Sequence, residues 1–199
     1  MGEAGGHGGA PRGWLDLSAN LHPCGTPAAV REAVARARDD GYGDLREERA
    51  ERRLATDAGV APEMVLVTAG ATEGLRLAVS ALLRPGDRAL VLGPTYSEYA
   101  RLAALRGASV EELPARPPAF RQPVAALLRR LARAEARMLF VCDPNNPTGA
   151  VLRAKERHAL LEAARRARTA VVLDQSFGPF AASTELPGGI AEADVVIVR

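Results

Sequence analysis

Short apolar runs alternate with longer amphipathic stretches through most of this 199-residue chain. A short continuous apolar run is typical of a strand covered on both faces, whereas apolar residues at helical spacing are typical of a helix. We therefore predict an α/β fold with a mostly parallel sheet and helices on both faces. The predicted strands are residues 64–68, 88–92, 109–113, 138–142, 170–173 and 194–198.

The predicted helices separate these strands, and two further helices precede the first strand. We expect residues 1–43 to form an N-terminal segment and arm, and residues 44–199 to contain the α/β domain. The predicted helices are residues 28–38, 46–58, 72–83, 96–106, 122–135 and 153–168.

Composition argues against several kinds of partner. The formal net charge is only +2, and the arginines recur at helical spacing, so we expect no nucleic-acid partner. No apolar run approaches the length that crosses a bilayer, and the start from Met1 to Arg12 is glycine-rich rather than a signal core. We therefore expect no membrane partner and a cytoplasmic location. Cys24 and Cys142 match neither a metal site nor a disulfide framework, and we place Cys142 in the core and Cys24 in a loop.

Polar side chains follow two neighbouring predicted strands. The motif D-P-N-N-P-T-G, which contains Asn146, follows strand 138–142, and Asp174 ends the next apolar run. Carboxyl ends of parallel strands open into one crevice, where ligands usually bind. There a buried carboxylate facing a pyridine nitrogen keeps it protonated, so that the ring draws electrons from a substrate carbanion. We predict that Asp174 contacts such a nitrogen and that Asn146 donates to a ring oxygen. The alternative for Asp174 is a strand-end turn residue.

Two further segments end at the same predicted edge of the sheet. The amides of Ala71 and Thr72, the Thr72 hydroxyl and the helix dipole would favour an anion at the start of helix 72–83. Alternatively, Thr72 is only the N-cap of that helix. After strand 88–92, Tyr96 has the shape to lie flat on an aromatic ligand, or else to cap the core. For Tyr99 we predict core packing.

Together these motifs resemble the fold type I pyridoxal-phosphate family, the aminotransferases and their decarboxylase relatives. In that family N-P-T-G and a later strand-terminal Asp hold the cofactor ring, so the resemblance implies pyridoxal 5'-phosphate bound by Ala71, Thr72, Tyr96, Asn146 and the catalytic Asp174. The family's cofactor-binding lysine lies a little downstream of a strand like 194–198. The only lysine here is Lys155, on a polar helix. We therefore expect residues 44–199 to be part of a larger cofactor-binding domain, incomplete at its C-terminus, and this chain to be inactive alone.

The first forty residues are similar to those of threonine-phosphate decarboxylases of cobalamin synthesis, with the histidinol-phosphate aminotransferases as close relatives. This resemblance implies that His7 and Asn20 contact the substrate and that Tyr42 reaches the cofactor phosphate across a dimer interface. The alternatives are a mobile tail for His7, a turn for Asn20 and an interface filler for Tyr42. Phe177 stands where many aminotransferases have a tyrosine on the cofactor 3-oxygen, which also favours the decarboxylase.

We predict a pyridoxal-phosphate-dependent decarboxylase acting on a small phosphorylated amino acid and forming a homodimer when intact. The alternative is a transaminase of the histidinol-phosphate aminotransferase kind, or a non-catalytic remnant of such an enzyme. No metal site is expected. A dinucleotide-binding domain fits less well, because no G-x-G-x-x-G follows the first predicted strand.

Overall fold

The computed structural model describes residues 11, 13–15, 20, 22, 24–37, 48–181 and 195–199. Contacts divide the chain into two units, residues 1–47 and 48–199. The first unit contains helix α1 (Ala28–Arg36), none of whose residues is buried. The predicted boundary between residues 43 and 44 lies outside the described residues and stays a prediction.

The second unit contains the alternating helices and strands. The predicted helices are confirmed, with ends that differ from the prediction by a few residues. Two single-turn 3-10 helices lie at Pro62–Met64 and Gly178–Phe180. The other elements are α2 (Glu48–Ala58), α3 (Ala71–Leu82), β1 (Arg88–Gly93), α4 (Glu98–Leu105), β2 (Ser109–Pro114), α5 (Val124–Leu131), β3 (Met138–Cys142), α6 (Ala154–Ala167), β4 (Ala170–Asp174) and β5 (Val195–Val198).

The five strands form one sheet in the order β2-β1-β3-β4-β5. Every neighbouring pair is parallel, so all carboxyl ends lie at one edge. The chain moves from β1 to β2 on one side and then to β3 on the other, so the winding direction reverses between β1 and β3. In open parallel sheets a ligand crevice forms beyond the carboxyl ends at such a reversal.

Alternating strand residues build a core on each face of the sheet. Val91, Phe140 and Val172 pack with residues of α3 and α4, whereas Leu139 and Leu173 pack with residues of α5 and α6. Strands β3 and β4 are buried along their whole length, as expected for strands covered on both sides. The predicted α/β sheet with helices on both faces is therefore confirmed.

The predicted strand at residues 64–68 is wrong. Met64 ends the first 3-10 helix, and the residues that follow join no strand of the described sheet. Met64 and Leu66 are 51% and 59% exposed. These two apolar side chains are therefore not buried by the described residues. An apolar run shows β-propensity, but a strand also needs a pairing partner.

None of the helices among the described residues is long and apolar enough to cross a membrane.

Candidate active site

Asp174 is a buried carboxylate at the carboxyl edge of the sheet. It ends β4, opposite Cys142 of β3 and Val198 of β5, and it is 5% exposed. Its Oδ1 accepts a hydrogen bond from the amide of Ser176 at 2.9 Å. Its Oδ2 accepts one from the hydroxyl of Tyr99 at 2.7 Å. Both oxygens are therefore fixed, while two bonds leave part of a carboxylate's accepting capacity unused.

Tyr99 joins α4 to the end of β4. It is 1% exposed, and its ring stacks on Phe140 at a centroid distance of 5.4 Å and an interplanar angle of 16°. Burial, together with the neighbouring Cys142 and Asp174, raises the pKa of Tyr99 far above its ordinary value, so the hydroxyl stays a donor. The predicted core packing is confirmed, but no sequence pattern indicates the hydroxyl's contact with Asp174.

The start of α3 leaves its first backbone amides open. Its N-cap is Gly70, at φ 82° and ψ 172°, and no side chain caps the helix. The first-turn amides of Ala71, Thr72 and Glu73 have no acceptor among the described residues, whereas the amide of Ala69 is bound by the Glu73 carboxylate. The alternative that Thr72 is the N-cap is wrong, because the helix begins one residue earlier. Amides directed outward at a positive helix end favour a phosphate.

Tyr96 connects the start of α3 to the tyrosine that binds Asp174. Its hydroxyl lies 3.3 Å from Thr72 Oγ1. Its ring meets the ring of Tyr99 edge to face, with centroids 5.6 Å apart and an interplanar angle of 84°. Thr72, Tyr96 and Asp174 are thus linked through Tyr99 by direct contacts. The structure brings three predicted site residues into one region.

Asn145 and Asn146 have different surroundings in the loop after β3. Asn145 is buried; its Oδ1 accepts from Thr95 Oγ1 at 2.7 Å, and its Nδ2 donates to Pro94 O at 2.9 Å and Thr148 Oγ1 at 2.7 Å. Asn146 is only half-buried, and its side-chain amide has no hydrogen-bond partner among the described residues. Asn145 therefore fixes the loop, and Asn146 keeps an amide available to a ligand.

An internal ion pair anchors the same loop to α6. Asp143 Oδ2 accepts from Arg157 Nε at 2.9 Å and Nη2 at 2.7 Å, and Asp143 Oδ1 accepts from the amide of Leu152 at 2.9 Å. The side chains of Asp143 and Arg157 are 0% and 8% exposed. This pair joins the end of β3 to α6, so it holds both ends of the segment that contains Asn146.

His7, Asn20 and Tyr42 are the other predicted site residues. Asn20 is exposed and belongs to the first unit, while His7 and Tyr42 lie outside the described residues. Lys155 is exposed in the first turn of α6, a helix that packs on the opposite face of the sheet from Tyr99. Cys142 is buried and Cys24 exposed, as predicted.

Phe177 and Gln175 follow Asp174 and depart from the pattern of many aminotransferases. Phe177 is half-buried and its ring is tilted against that of Phe180, with centroids 6.3 Å apart. Because it is a phenylalanine, it has no hydroxyl that could bind a ligand. Gln175 is buried, and its Oε1 accepts from Arg199 Nε at 3.2 Å and Nη2 at 3.1 Å. Residue 175 is thus a neutral amide that contacts the side chain of Arg199.

The donor set fits pyridoxal 5'-phosphate. The open amides of α3 suit its phosphate, the buried carboxylate of Asp174 suits a protonated pyridine nitrogen, and Asn146 retains an amide for the ring oxygen. The contact of Tyr96 with Thr72 places an aromatic ring beside the open helix end. The phosphate, the ring nitrogen and the ring oxygen of the cofactor thus each have a suitable partner on one edge of the sheet.

Comparisons with known proteins find related chains and similar folds. The histidinol-phosphate aminotransferase of Cronobacter sakazakii is 34% identical over 158 residues, which cover 79% of this chain and 43% of that protein. The structure of histidinol-phosphate aminotransferase from Sinorhizobium meliloti in complex with pyridoxal-5'-phosphate superposes with a TM-score of 0.80 at 23% identity, covering 90% of this chain and 49% of that one. L-threonine-O-3-phosphate decarboxylase from Porphyromonas gingivalis superposes with a TM-score of 0.64 at 24% identity, covering 79% and 47%.

The two structural matches support the fold, and the sequence match supports the family. The chain spans less than half the length of the curated relative from Cronobacter sakazakii. The family model of the class I and II aminotransferases matches residues 12–199. This chain therefore belongs to the aminotransferase class I and II family.

Proposed function

We propose that this chain is the cofactor-binding portion of a pyridoxal-phosphate-dependent aminotransferase that acts on a phosphorylated amine such as histidinol phosphate. The observation that carries the proposal is the buried Asp174 carboxylate, linked through Tyr99 and Tyr96 to the open helix end at Thr72. A structural strand-end aspartate needs no such connection to an uncapped helix start.

Each group of the chain has a distinct task in this proposal. The amides of Ala71 and Thr72 bind the cofactor phosphate, and Tyr96 covers one face of the ring. Asp174 holds a proton at the ring nitrogen, and Asn146 donates its amide hydrogen to the ring 3-oxygen. When bound, the cofactor supplies a protonated ring that withdraws electrons from the carbon being transformed.

The choice of transamination rests on the relatives. Besides the protein from Cronobacter sakazakii, further curated relatives carry the name histidinol-phosphate aminotransferase, among them one from Limosilactobacillus fermentum and one from Moorella thermoacetica. This supports the alternative prediction from sequence better than the main one. Decarboxylation of threonine phosphate stays a second candidate, supported by Phe177 and by the resemblance of the first forty residues to threonine-phosphate decarboxylases.

Several finer features of the proposal follow from the resemblance. We place His7 and Asn20 at the substrate and Tyr42 at the cofactor phosphate of a partner subunit in a homodimer. We further propose a cytoplasmic location. Because Lys155 is the only lysine and is exposed on α6, we expect the 199-residue chain by itself to be inactive.

The test of the reaction uses a full-length enzyme that contains this chain, since the chain spans less than half of its relatives. We expect histidinol phosphate and 2-oxoglutarate to yield glutamate, and threonine phosphate to release little carbon dioxide. Release of carbon dioxide from threonine phosphate without 2-oxoglutarate, and no glutamate from histidinol phosphate, would establish the decarboxylase instead.

A further inference from the structure

Tyr99 is the most rigidly held donor to the Asp174 carboxylate. The other donor is the backbone amide of Ser176, a residue in an exposed turn after β4. Tyr99 instead lies on α4, is enclosed by the core and stacks on Phe140. The position of its hydroxyl is therefore set by the packing of α4 against the sheet.

The hydroxyl is not required for filling the core. A phenylalanine at residue 99 would preserve the stacked contact with Phe140 and the edge contact with Tyr96. The core cluster on this face is otherwise made of apolar side chains. The oxygen contributes contacts that phenylalanine lacks, the 2.7 Å hydrogen bond to Asp174 and an interaction with the Cys142 thiol. A charge-assisted hydrogen bond of this kind is stronger than a neutral one and fixes the direction of the carboxylate.

We propose that Tyr99 is a positioning residue that orients the Asp174 carboxylate toward the cofactor's ring nitrogen. This inference rests on the proposed function, because it assigns Tyr99 a role that acts through Asp174. Tyr99 touches neither the substrate nor the ring in this account. Through the edge contact of the two tyrosine rings, the same side chain also supports Tyr96, so one core residue sets the positions of two cofactor contacts.

The test is a double-mutant cycle on the 199-residue chain with Tyr99→Phe, Asp174→Asn and the double variant. The probe is pyridoxamine 5'-phosphate, which has no aldehyde and binds without a lysine, and its affinity is measured by fluorescence titration. We expect Tyr99→Phe to weaken binding about tenfold, the loss expected for one hydrogen bond to a charged group. In the Asp174→Asn background the same change should weaken binding by no more than about twofold, since residues that act through one another are not additive.

A matched control removes a different buried hydroxyl, at the opposite end of β4 from Asp174. Thr169 immediately precedes β4 and is buried; its Oγ1 donates to Ala136 O at 2.8 Å, at the opposite edge of the sheet from Asp174. Thr169→Val and Tyr99→Phe should lower the urea midpoint of unfolding to a similar degree. Only Tyr99→Phe should change the affinity for the probe.

A spectroscopic measurement separates the two ends of the probe. With a ¹⁵N-labelled ring, Tyr99→Phe should shift the ring-nitrogen signal toward that of neutral pyridine, while the ³¹P signal of the phosphate stays unchanged. An equal loss of affinity in both backgrounds, or an unchanged ring-nitrogen signal, would show that Tyr99 is only a structural residue. Failure of the unaltered chain to bind, or indifference of binding to Asp174→Asn, would overturn the proposed cofactor site itself.

Discussion

Asn145 accepts a hydrogen bond from Thr95 at 2.7 Å, which joins the loop after β3 to the loop after β1. These loops flank the point where the winding of the sheet reverses, the place at which parallel sheets open a ligand crevice. The same Asn145 side chain also binds the backbone carbonyl of Pro94. One buried amide side chain, that of Asn145, thus holds the loop after β3 against the loop after β1.

Replacing the two adjacent asparagines should have opposite consequences. Asn145→Ala removes three hydrogen bonds to half-buried groups, each of which contributes about 0.5–1.5 kcal/mol, so we expect a clear fall in the free energy of unfolding in urea. Asn146→Ala removes a half-buried side chain and should cost no more than about 0.5 kcal/mol. It should nevertheless weaken binding of pyridoxamine 5'-phosphate. A larger loss of stability in Asn146→Ala than in Asn145→Ala would contradict this division of roles.

Breaking the ion pair between Asp143 and Arg157 should destabilise the chain strongly. Asp143→Asn leaves the buried guanidinium without its charged partner, and such losses cost about 3–5 kcal/mol. The exposed pair of Arg53 and Asp57, 3.2 Å apart, offers a control, because exposed pairs contribute at most about 1 kcal/mol. Equal shifts of the thermal midpoint in Asp143→Asn and Asp57→Asn would show that the internal pair does not anchor the loop.

The two cysteines should react at very different rates with a thiol reagent. Burial raises the pKa of the Cys142 thiol above its ordinary value, so the reactive thiolate is scarcer at a given pH and increases only as the pH rises through that higher pKa. Cys24 is exposed. We expect one rapid thiol in the native chain and two after unfolding. In Cys24→Ser, rapid labelling at neutral pH would contradict the enclosed position of Cys142.

A proline in the first turn of α3 should affect the phosphate site selectively. Ala71→Pro removes one open amide at the first helical position, where proline is tolerated. We expect the affinity for pyridoxamine 5'-phosphate to fall about tenfold, as for one hydrogen bond to a charged group, while that for pyridoxamine is unchanged. Ala154→Pro makes the same change at the start of α6 and serves as the control. An equal loss of affinity for both ligands would show that the amide of Ala71 does not bind the phosphate.

Much of this site was predictable because each part follows a local rule. The apolar runs of β3 and β4 predicted buried parallel strands, and the polar residue after each run then had to lie at the carboxyl edge. The glycine before α3 and its open first turn likewise follow from local sequence. Asp174 could therefore be assigned to that edge before its contacts were known, whereas the assignment of Thr72 relied on a strand at residues 64–68 that does not form.

The contacts between distant segments were not predictable. The hydroxyl of Tyr99 meets Asp174 across 75 positions of sequence, and no local pattern distinguishes it from a tyrosine that only packs. The same holds for Asn145 and Asn146, which are identical in type and differ only in what the folded chain places beside them. The incorrect prediction of a strand at residues 64–68 has a similar cause. Whether an apolar segment forms a strand depends on its surroundings in the fold, which its own sequence does not specify.

The most direct test of the cofactor site is the protonation state of the ring nitrogen when ¹⁵N-labelled pyridoxamine 5'-phosphate binds to this chain and to Asp174→Asn. The asparagine keeps the size of the side chain and the acceptor for Tyr99, but it lacks the negative charge that holds the proton. We predict a pyridinium signal for the unaltered chain, and weaker binding with a neutral pyridine signal for Asp174→Asn. The same signal and the same affinity in both proteins would contradict the assignment of Asp174 to the ring nitrogen.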